Sequence, residues 1–231
     1  MSTPSQPMPL PAVVSRIAGG RPVTAVWVNE LGGVTFALGG DRPGEFVKTY
    51  PDEVAHLLDD EAVRLRWARA RHPVPEVLAS GHGWLRTAAL PGRSAVDVRW
   101  TDRPADAARA IGSGLRALHE TLPVADCPFG PPSWIGVGAP PPDRLVVCHG
   151  DACAPNTLMA DDGSFAGHVD LGDLGVADRW ADLAIATMSL DWNYPGDGWQ
   201  AMLLDAYGVR PDDERIAFYR QRWNDEPSPQ G

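Results

Sequence analysis

The sequence predicts an α+β chain in two parts: a small antiparallel sheet with one helix, then a mainly helical portion. Three observations predict it. Short apolar or alternating runs separated by glycine turns fill residues 24–49, the pattern of hairpin-connected strands. From Pro104 onward, long stretches carry apolar residues at three- and four-residue spacing, which is helical. Between these regions Leu90-Pro91-Gly92 interrupts both patterns.

The elements follow in order. Met1–Pro11 holds four prolines and no apolar signal-peptide core, so residues 1–15 are expected as a flexible tail rather than a leader. Thr24–Asn29 and Val34–Leu38 are strands about a Glu30-Leu31-Gly32-Gly33 turn, and Glu45–Thr49 is a third strand carrying Lys48. Gly32 and Gly33 fit a plain hairpin turn or a turn whose amides approach phosphate; they match neither G-x-G-x-x-G nor the Walker pattern. Pro51, Asp52 and Glu53 suit a helix start. That helix runs to about Arg71, with Val54, Leu57, Leu58, Ala62, Leu65 and Ala68 on one face. Glu61 falls on the same face. A buried carboxylate is costly unless paired, and Lys48 on the preceding strand is its natural partner.

Val77–Ser80 and Trp84–Ala89 are two more strands, and the boundary between the parts lies near residue 91. Residues 16–90 thus form the first lobe and 91–223 the second, with a polar tail at 224–231. Pro104–Thr121 is a helix, with His119 packed or capping. Pro123–Pro142 is an irregular loop over Trp134 and Ile135. Asp178 caps a helix carrying Leu183, Ala184, Ala186, Thr187 and Leu190. Two further helices span about Gly198–Tyr207 and Pro211–Trp223.

The chemistry concentrates in Val146-Val147-Cys148-His149-Gly150-Asp151-Ala152-Cys153-Ala154-Pro155-Asn156 and in His168-Val169-Asp170-Leu171-Gly172. A buried strand leads into a loop that Pro155 stiffens by removing an N–H and biasing Ala154 away from helix. A second strand, Phe165–Val169, delivers Asp170. An acid, an amide and an acid gathered this way suit phosphoryl transfer. One carboxylate accepts the proton of an attacking hydroxyl, while the amide oxygen and the other carboxylate are hard ligands for Mg²⁺. His149 is expected to pack beside the loop and bond its backbone.

The 231 residues carry a formal charge of −10, which argues against nucleic-acid binding. The same charge suits ordinary solubility or a cationic substrate drawn to an acidic cleft. No run approaches the ~20 apolar residues of a membrane span. Cys127, Cys148 and Cys153 are odd in number and lack metal-ligand spacing, so reduced thiols in a cytoplasmic protein are expected.

The Asp151-to-Asn156 spacing equals that of the protein-kinase catalytic loop, and Asp170-Leu171-Gly172 stands where kinases have Asp-Phe-Gly. The His149-Gly150-Asp151 variant resembles the aminoglycoside phosphotransferases, in their 3′/3″ branch. Phe46-Val47-Lys48-Thr49, Asp60-Glu61-Ala62, Leu118-His119, Cys127-Pro128-Phe129, Leu174-Gly175-Val176-Ala177-Asp178-Arg179 and Arg215-Ile216-Ala217-Phe218-Tyr219 agree. The resemblance implies a bilobal protein-kinase-like fold, with a β-sheet nucleotide lobe and a helical catalytic lobe. By position it implies Asp151 as catalytic base and Asn156 and Asp170 as Mg²⁺ ligands. It further implies Lys48, held by Glu61, on the phosphates of ATP (or GTP). Gly32 and Gly33 would lie near the phosphates, Ala89 would offer backbone groups to the purine, and Asp182 would brace the catalytic loop.

A polycationic aminoglycoside would be the acceptor, making the chain a resistance enzyme, with Asp191, Asp225 and Glu226 as candidate carboxylates for its amines. The acceptor side departs from the 3′ branch. Met188-Ser189 replaces an Arg-Asp pair, and Gln221-Arg222-Trp223-Asn224-Asp225-Glu226-Pro227 replaces Leu-Leu-Asp-Glu-Phe-Phe. Two other functions stay open: a kinase for another cationic antibiotic or small metabolite, and a non-catalytic kinase-like binding protein. Oligomeric state is not legible.

Overall fold

The computed structural model describes residues 8–225. Its residues divide into two units. One comprises residues 8–69 with Pro75–Ala89, the other Ala70–Val74 with residues 90–225.

The first unit is built on a five-stranded antiparallel sheet. Strands β1 (Val23–Val28), β2 (Val34–Leu38), β3 (Glu45–Thr49), β4 (Val77–Gly81) and β5 (Trp84–Ala88) are arranged in the order β1-β2-β3-β5-β4. Thr35 pairs with Lys48 and Lys48 with Leu85, so the lysine sits on the central strand. Helix α1 (Ala12–Ala18) precedes the sheet and α2 (His56–Ala68) follows β3. The first helix corrects the expected tail over residues 1–15. Val14 and Ala18 are buried against Phe36, Leu38 and Val47, and packing of this short segment supplies the stability that its length cannot. Residues 1–7 lie outside the described range. The helical region after β3 also differs from expectation at both ends. Asp52–Val54 forms a 3₁₀ turn, and α2 starts only at His56 and stops at Ala68.

The second unit holds α3 (Pro104–Thr121), α4 (Arg179–Asn193), α5 (Trp199–Tyr207) and α6 (Asp213–Asp225) around two small sheets. β6 (Arg93–Ser94), β8 (Thr157–Met159) and β9 (Phe165–His168) make one; β7 (Leu145–Cys148) and β10 (Gly175–Asp178) make the other. The α4 helix is buried nearly throughout, from Trp180 to Leu190, and is the core of the unit. Trp100, Ile111, Leu115 and Leu118 pack in the same unit. The tail expected from residue 224 is helical through Asp225; residue 226 onward, including Glu226, falls outside the described residues. Among the described residues, no helix is long and apolar enough to cross a membrane, and Cys127, Cys148 and Cys153 form no disulfide.

Candidate active site

β7 and β9 converge on one place in the second unit. β7 ends at Cys148, and the chain then turns at Gly150, whose φ is 90°. A side chain there would collide with the Asp173 backbone as well as occupy an unfavourable conformation. Asp151 follows, and Pro155 opens a 3₁₀ turn over Ala154–Asn156. The Asn156 Nδ2 donates to the Asp151 backbone oxygen and to its Oδ2, both at 3.0 Å. The Val169 N–H donates to the Asn156 carbonyl at 3.0 Å, so β9 delivers Asp170 beside this pair. Asp170 is the one non-glycine residue with positive φ among the described residues, at 62°. Strain of this kind is held in place by surrounding structure and clusters at functional sites.

The electrostatics are those of two neighbouring carboxylates. Burial and the nearby Asp170 carboxylate push the Asp151 pKa up. Its Oδ1 is buried and accepts no hydrogen bond among the described residues. With both Nδ2 bonds spent on Asp151, Asn156 keeps its amide oxygen for a ligand. The Asp170 carboxylate and the Asn156 amide oxygen are hard donors, which fits Mg²⁺ by chemistry.

The loop is braced from several directions. Asp182, buried in the first turn of α4, accepts from the His149 N–H at 2.6 Å and from the Gly150 N–H at 3.1 Å. His119 Nε2 lies 2.9 Å from the same carboxylate, and its Nδ1 lies 2.9 Å from the Tyr207 hydroxyl. His149 packs under the loop, with Nε2 on the Val169 carbonyl at 3.0 Å and Nδ1 accepting from the Asp151 N–H at 3.3 Å. Asp178 caps α4, accepting from the Trp180 N–H at 3.4 Å, and pairs with Arg215 at 2.6 Å.

In the first unit, Lys48 Nζ lies 2.9 and 2.8 Å from the two oxygens of Glu61. Glu61 is buried on the apolar face of α2, so the pair satisfies a carboxylate that would otherwise be costly.

The model of the phosphotransferase enzyme family (APH) matches residues 30–137 and 133–219. The chain belongs to this phosphotransferase family. It is 34% identical over 218 residues to an aminoglycoside 3'-phosphotransferase of Streptomyces fradiae, covering 74% of this chain and 80% of the relative. It is 31% identical to the streptomycin 3''-kinase of Streptomyces griseus, over 75% of this chain and 82% of that one. Among solved structures it resembles the aminoglycoside phosphotransferase APH(3'')-Id of Streptomyces rimosus, with TM-score 0.71 and 26% identity over 90% of this chain and 94% of that one. The same enzyme in complex with ADP and streptomycin matches with TM-score 0.66 at 25% identity, over 84% of this chain and 92% of that one. The kinase-like α+β fold expected from the sequence is the one these structures share.

Some residues marked for ligands also have partners within this phosphotransferase. The Gly33 N–H, expected near phosphate, donates to Asn29 Oδ1 at 2.7 Å, and the ring of Tyr50 packs over the glycine. That amide is closing the β1–β2 turn. Gly32, with φ 75°, makes the turn itself. Ala89, expected to offer backbone groups to the purine, donates its N–H to the Gly44 carbonyl at 2.9 Å. Asp191 lies at the end of α4 and takes two bonds from Gln200 Nε2, at 2.8 and 3.1 Å, with Arg220 at 3.5 Å. Asp225 ends α6 and is exposed.

Sequence reasoning missed three supports. Trp134 Nε1 donates to the Gly150 carbonyl at 2.7 Å from beneath the loop. Ser189 Oγ accepts from the Ala154 N–H at 2.9 Å, so a position singled out only for departing from the branch holds the loop from α4. His72 Nε2 lies 2.9 Å from His168 Nδ1, and the His168 N–H donates to the Pro73 carbonyl at 3.0 Å, tying residues 72–73 to the strand before Asp170. Burial and neighbouring histidines lower the His72 pKa to about 4, so the pair is neutral near pH 7. No local pattern signals these contacts. His119, Cys148 and Asp182 approach closely enough to hold a metal. Asp182 is already filled by three donors, and burial pushes the Cys148 thiol well up, so this cluster is a structural knot.

Proposed function

We propose that the chain transfers the γ-phosphate of ATP to a hydroxyl of an aminoglycoside antibiotic, with Mg²⁺ as cofactor, and so confers resistance. The observation that carries this is the buried, unbonded Asp151 Oδ1 beside Asn156 and Asp170. Asp151 is the catalytic base. Its raised pKa brings a carboxylate nearer the range in which it takes a proton from an alcohol as the new P–O bond forms. Asn156 and Asp170 would hold Mg²⁺, which offsets phosphate charge when bound. Lys48, kept in place by Glu61, contacts the α- and β-phosphates. Positioning and fixed charge supply most of the acceleration in this chemistry. The net charge of −10 favours the approach of a polycation. The aminoglycoside names of the relatives, and the ADP and streptomycin in the complex of one of them, support the nucleotide and the acceptor class.

One observation favours a different cationic acceptor. Asp191, a candidate for gripping substrate amines, is already bonded to Gln200 and Arg220. A single experiment separates the two. ADP release is followed with Mg·ATP and kanamycin, neomycin, streptomycin or a basic peptide antibiotic, and each product is located by mass spectrometry and NMR. Release with an aminoglycoside establishes the first function, and release with the peptide alone establishes the second. No release with any acceptor, despite Mg·ATP binding, rejects both.

A further inference from the structure

We infer that a pocket of about 160 Å³ lined by Arg116, Arg144, Arg179 and Tyr207 is a binding site for a phosphate-class oxyanion, separate from the phosphoryl-transfer centre. In a chain of charge −10, this pocket gathers three guanidinium groups against two carboxylates, Glu120 on its lining and Asp143 paired with Arg179. They come from three places in the second unit. Arg116 lies on α3, with its Nη1 against Gly208 at the end of α5. Arg144 precedes β7 and Arg179 follows β10. The antiparallel β7–β10 pair brings these two together, and the Arg179 N–H donates to the Arg144 carbonyl at 2.9 Å. Both guanidinium charges reach the Tyr207 hydroxyl, where they oppose the effect of burial.

The existing partners leave capacity for a ligand. Arg144 is exposed and forms no ion pair among the described residues. Arg116 pairs with Glu120 at 2.8 Å, but both side chains are about half exposed, and such i,i+4 pairs contribute little. Asp143 occupies one edge of the Arg179 fork, its Oδ2 2.7 Å from Nε and 2.5 Å from Nη2, which fixes the plane and leaves Nη1 for a ligand. Like charges around one opening repel one another, and an oxyanion removes that repulsion. Planar guanidinium forks match phosphate oxygens two at a time. The Tyr207 hydroxyl gives its proton to His119 Nδ1, since the Asp182 carboxylate accepts from His119 Nε2. An anion held by the guanidinium groups would therefore act on the catalytic loop through its field on this Tyr207–His119–Asp182 chain, which ends on the His149 and Gly150 amides.

The test is calorimetric titration of the full chain with inorganic phosphate and, separately, phenyl phosphate. A low-salt buffer is used, with Mg·ADP at saturation to cover the transfer centre. Saturable binding is expected. Arg144→Glu, an exposed change with little bearing on folding, is expected to weaken it at least ~10-fold, or ~1.4 kcal/mol. Binding of phosphate alone would mean a free-ion site, and binding of both would mean that a phosphomonoester is accepted. Absence of saturable heat with either probe overturns the inference, as does equal affinity in Arg144→Glu. Hydrogen exchange at His149 and Gly150 is expected to slow with phosphate in the natural chain and not in Tyr207→Phe. Unchanged exchange in the natural chain removes the connection to the loop.

Discussion

Replacing Asp182 with asparagine tests how the catalytic loop is held. Asp182 is 1% exposed and receives three donors: the His149 N–H, the Gly150 N–H and His119 Nε2. In the Asp182→Asn chain one carboxylate oxygen becomes an NH₂ group. If the new amide keeps its oxygen on Gly150, its nitrogen faces the His149 N–H, and two donors meet at a position now bonded at 2.6 Å. Leaving one buried amide unsatisfied costs ~1–3 kcal/mol. The surviving bond to Gly150 loses its charge assistance, which removes about half its strength. Removing a buried charge offsets part of this, and His119 can change tautomer to accept from the new amide. The net expectation is a loss of about 2–4 kcal/mol. Against a typical total of roughly 5–15 kcal/mol this is a large share. Urea unfolding followed by tryptophan fluorescence should show the midpoint falling by about 1 M at unchanged slope, for a slope of ~2–3 kcal/mol/M. Turnover should fall by more than Mg·ATP affinity, because Lys48 and Glu61 lie in the other unit while Asp151 lies on the braced loop. A midpoint unchanged to within ~0.2 M, equivalent to about 0.5 kcal/mol, would refute the bracing role.

Three further outcomes are expected. Asp151→Asn should abolish turnover and leave nucleotide binding largely intact, and residual full activity would remove Asp151 as base. The folded-state pKa of Asp151 is raised, so its contribution is fully present below the unfolded value and is lost as pH rises through the folded value. In metal-free buffer Asp151→Asn should therefore be more stable than the natural chain near pH 7, and the gap should close below about pH 3.9, which two urea titrations will measure. Glu61→Gln leaves Lys48, whose side chain is only 16% exposed, beside a neutral amide. It should destabilise the first unit by about 1–3 kcal/mol and raise KM for ATP more than it lowers kcat, and an unchanged KM would count against the phosphate role of Lys48. Trp134→Phe deletes the donor to the Gly150 carbonyl while keeping the ring, and should cost ~1 kcal/mol by thermal unfolding.

Much of the candidate site could be read along the chain. Asp151 and Asn156 lie five residues apart on one turn, and a turn's shape is set by its own glycine and proline. Strands Val34–Leu38 and Glu45–Thr49 and helix Pro104–Thr121 have the bounds their periodicity predicts, because each element's backbone bonds are local or lie across a tight hairpin. The Lys48–Glu61 pair was legible for a different reason: a carboxylate on an apolar helix face needs a partner, and Lys48 stands on the strand that precedes that helix.

Other features have no local cause. Helix Ala12–Ala18 is too short to stand alone and exists because Val14 and Ala18 meet the sheet. Thr157–Met159 and Gly175–Asp178 are too brief to show alternation and are strands because partners bond them. Gly33, Ala89 and Asp191, marked by position for ligands, also bond Asn29, Gly44 and Arg220. His72 and His168 are 96 residues apart, and Arg116, Arg144 and Arg179 meet only because α3 and the β7–β10 pair pack in one unit. Covalent neighbours bias a residue's backbone within a few positions. Which distant donor claims a given acceptor depends on the packed core, where burial makes each unmet hydrogen bond costly and each unpaired charge costlier.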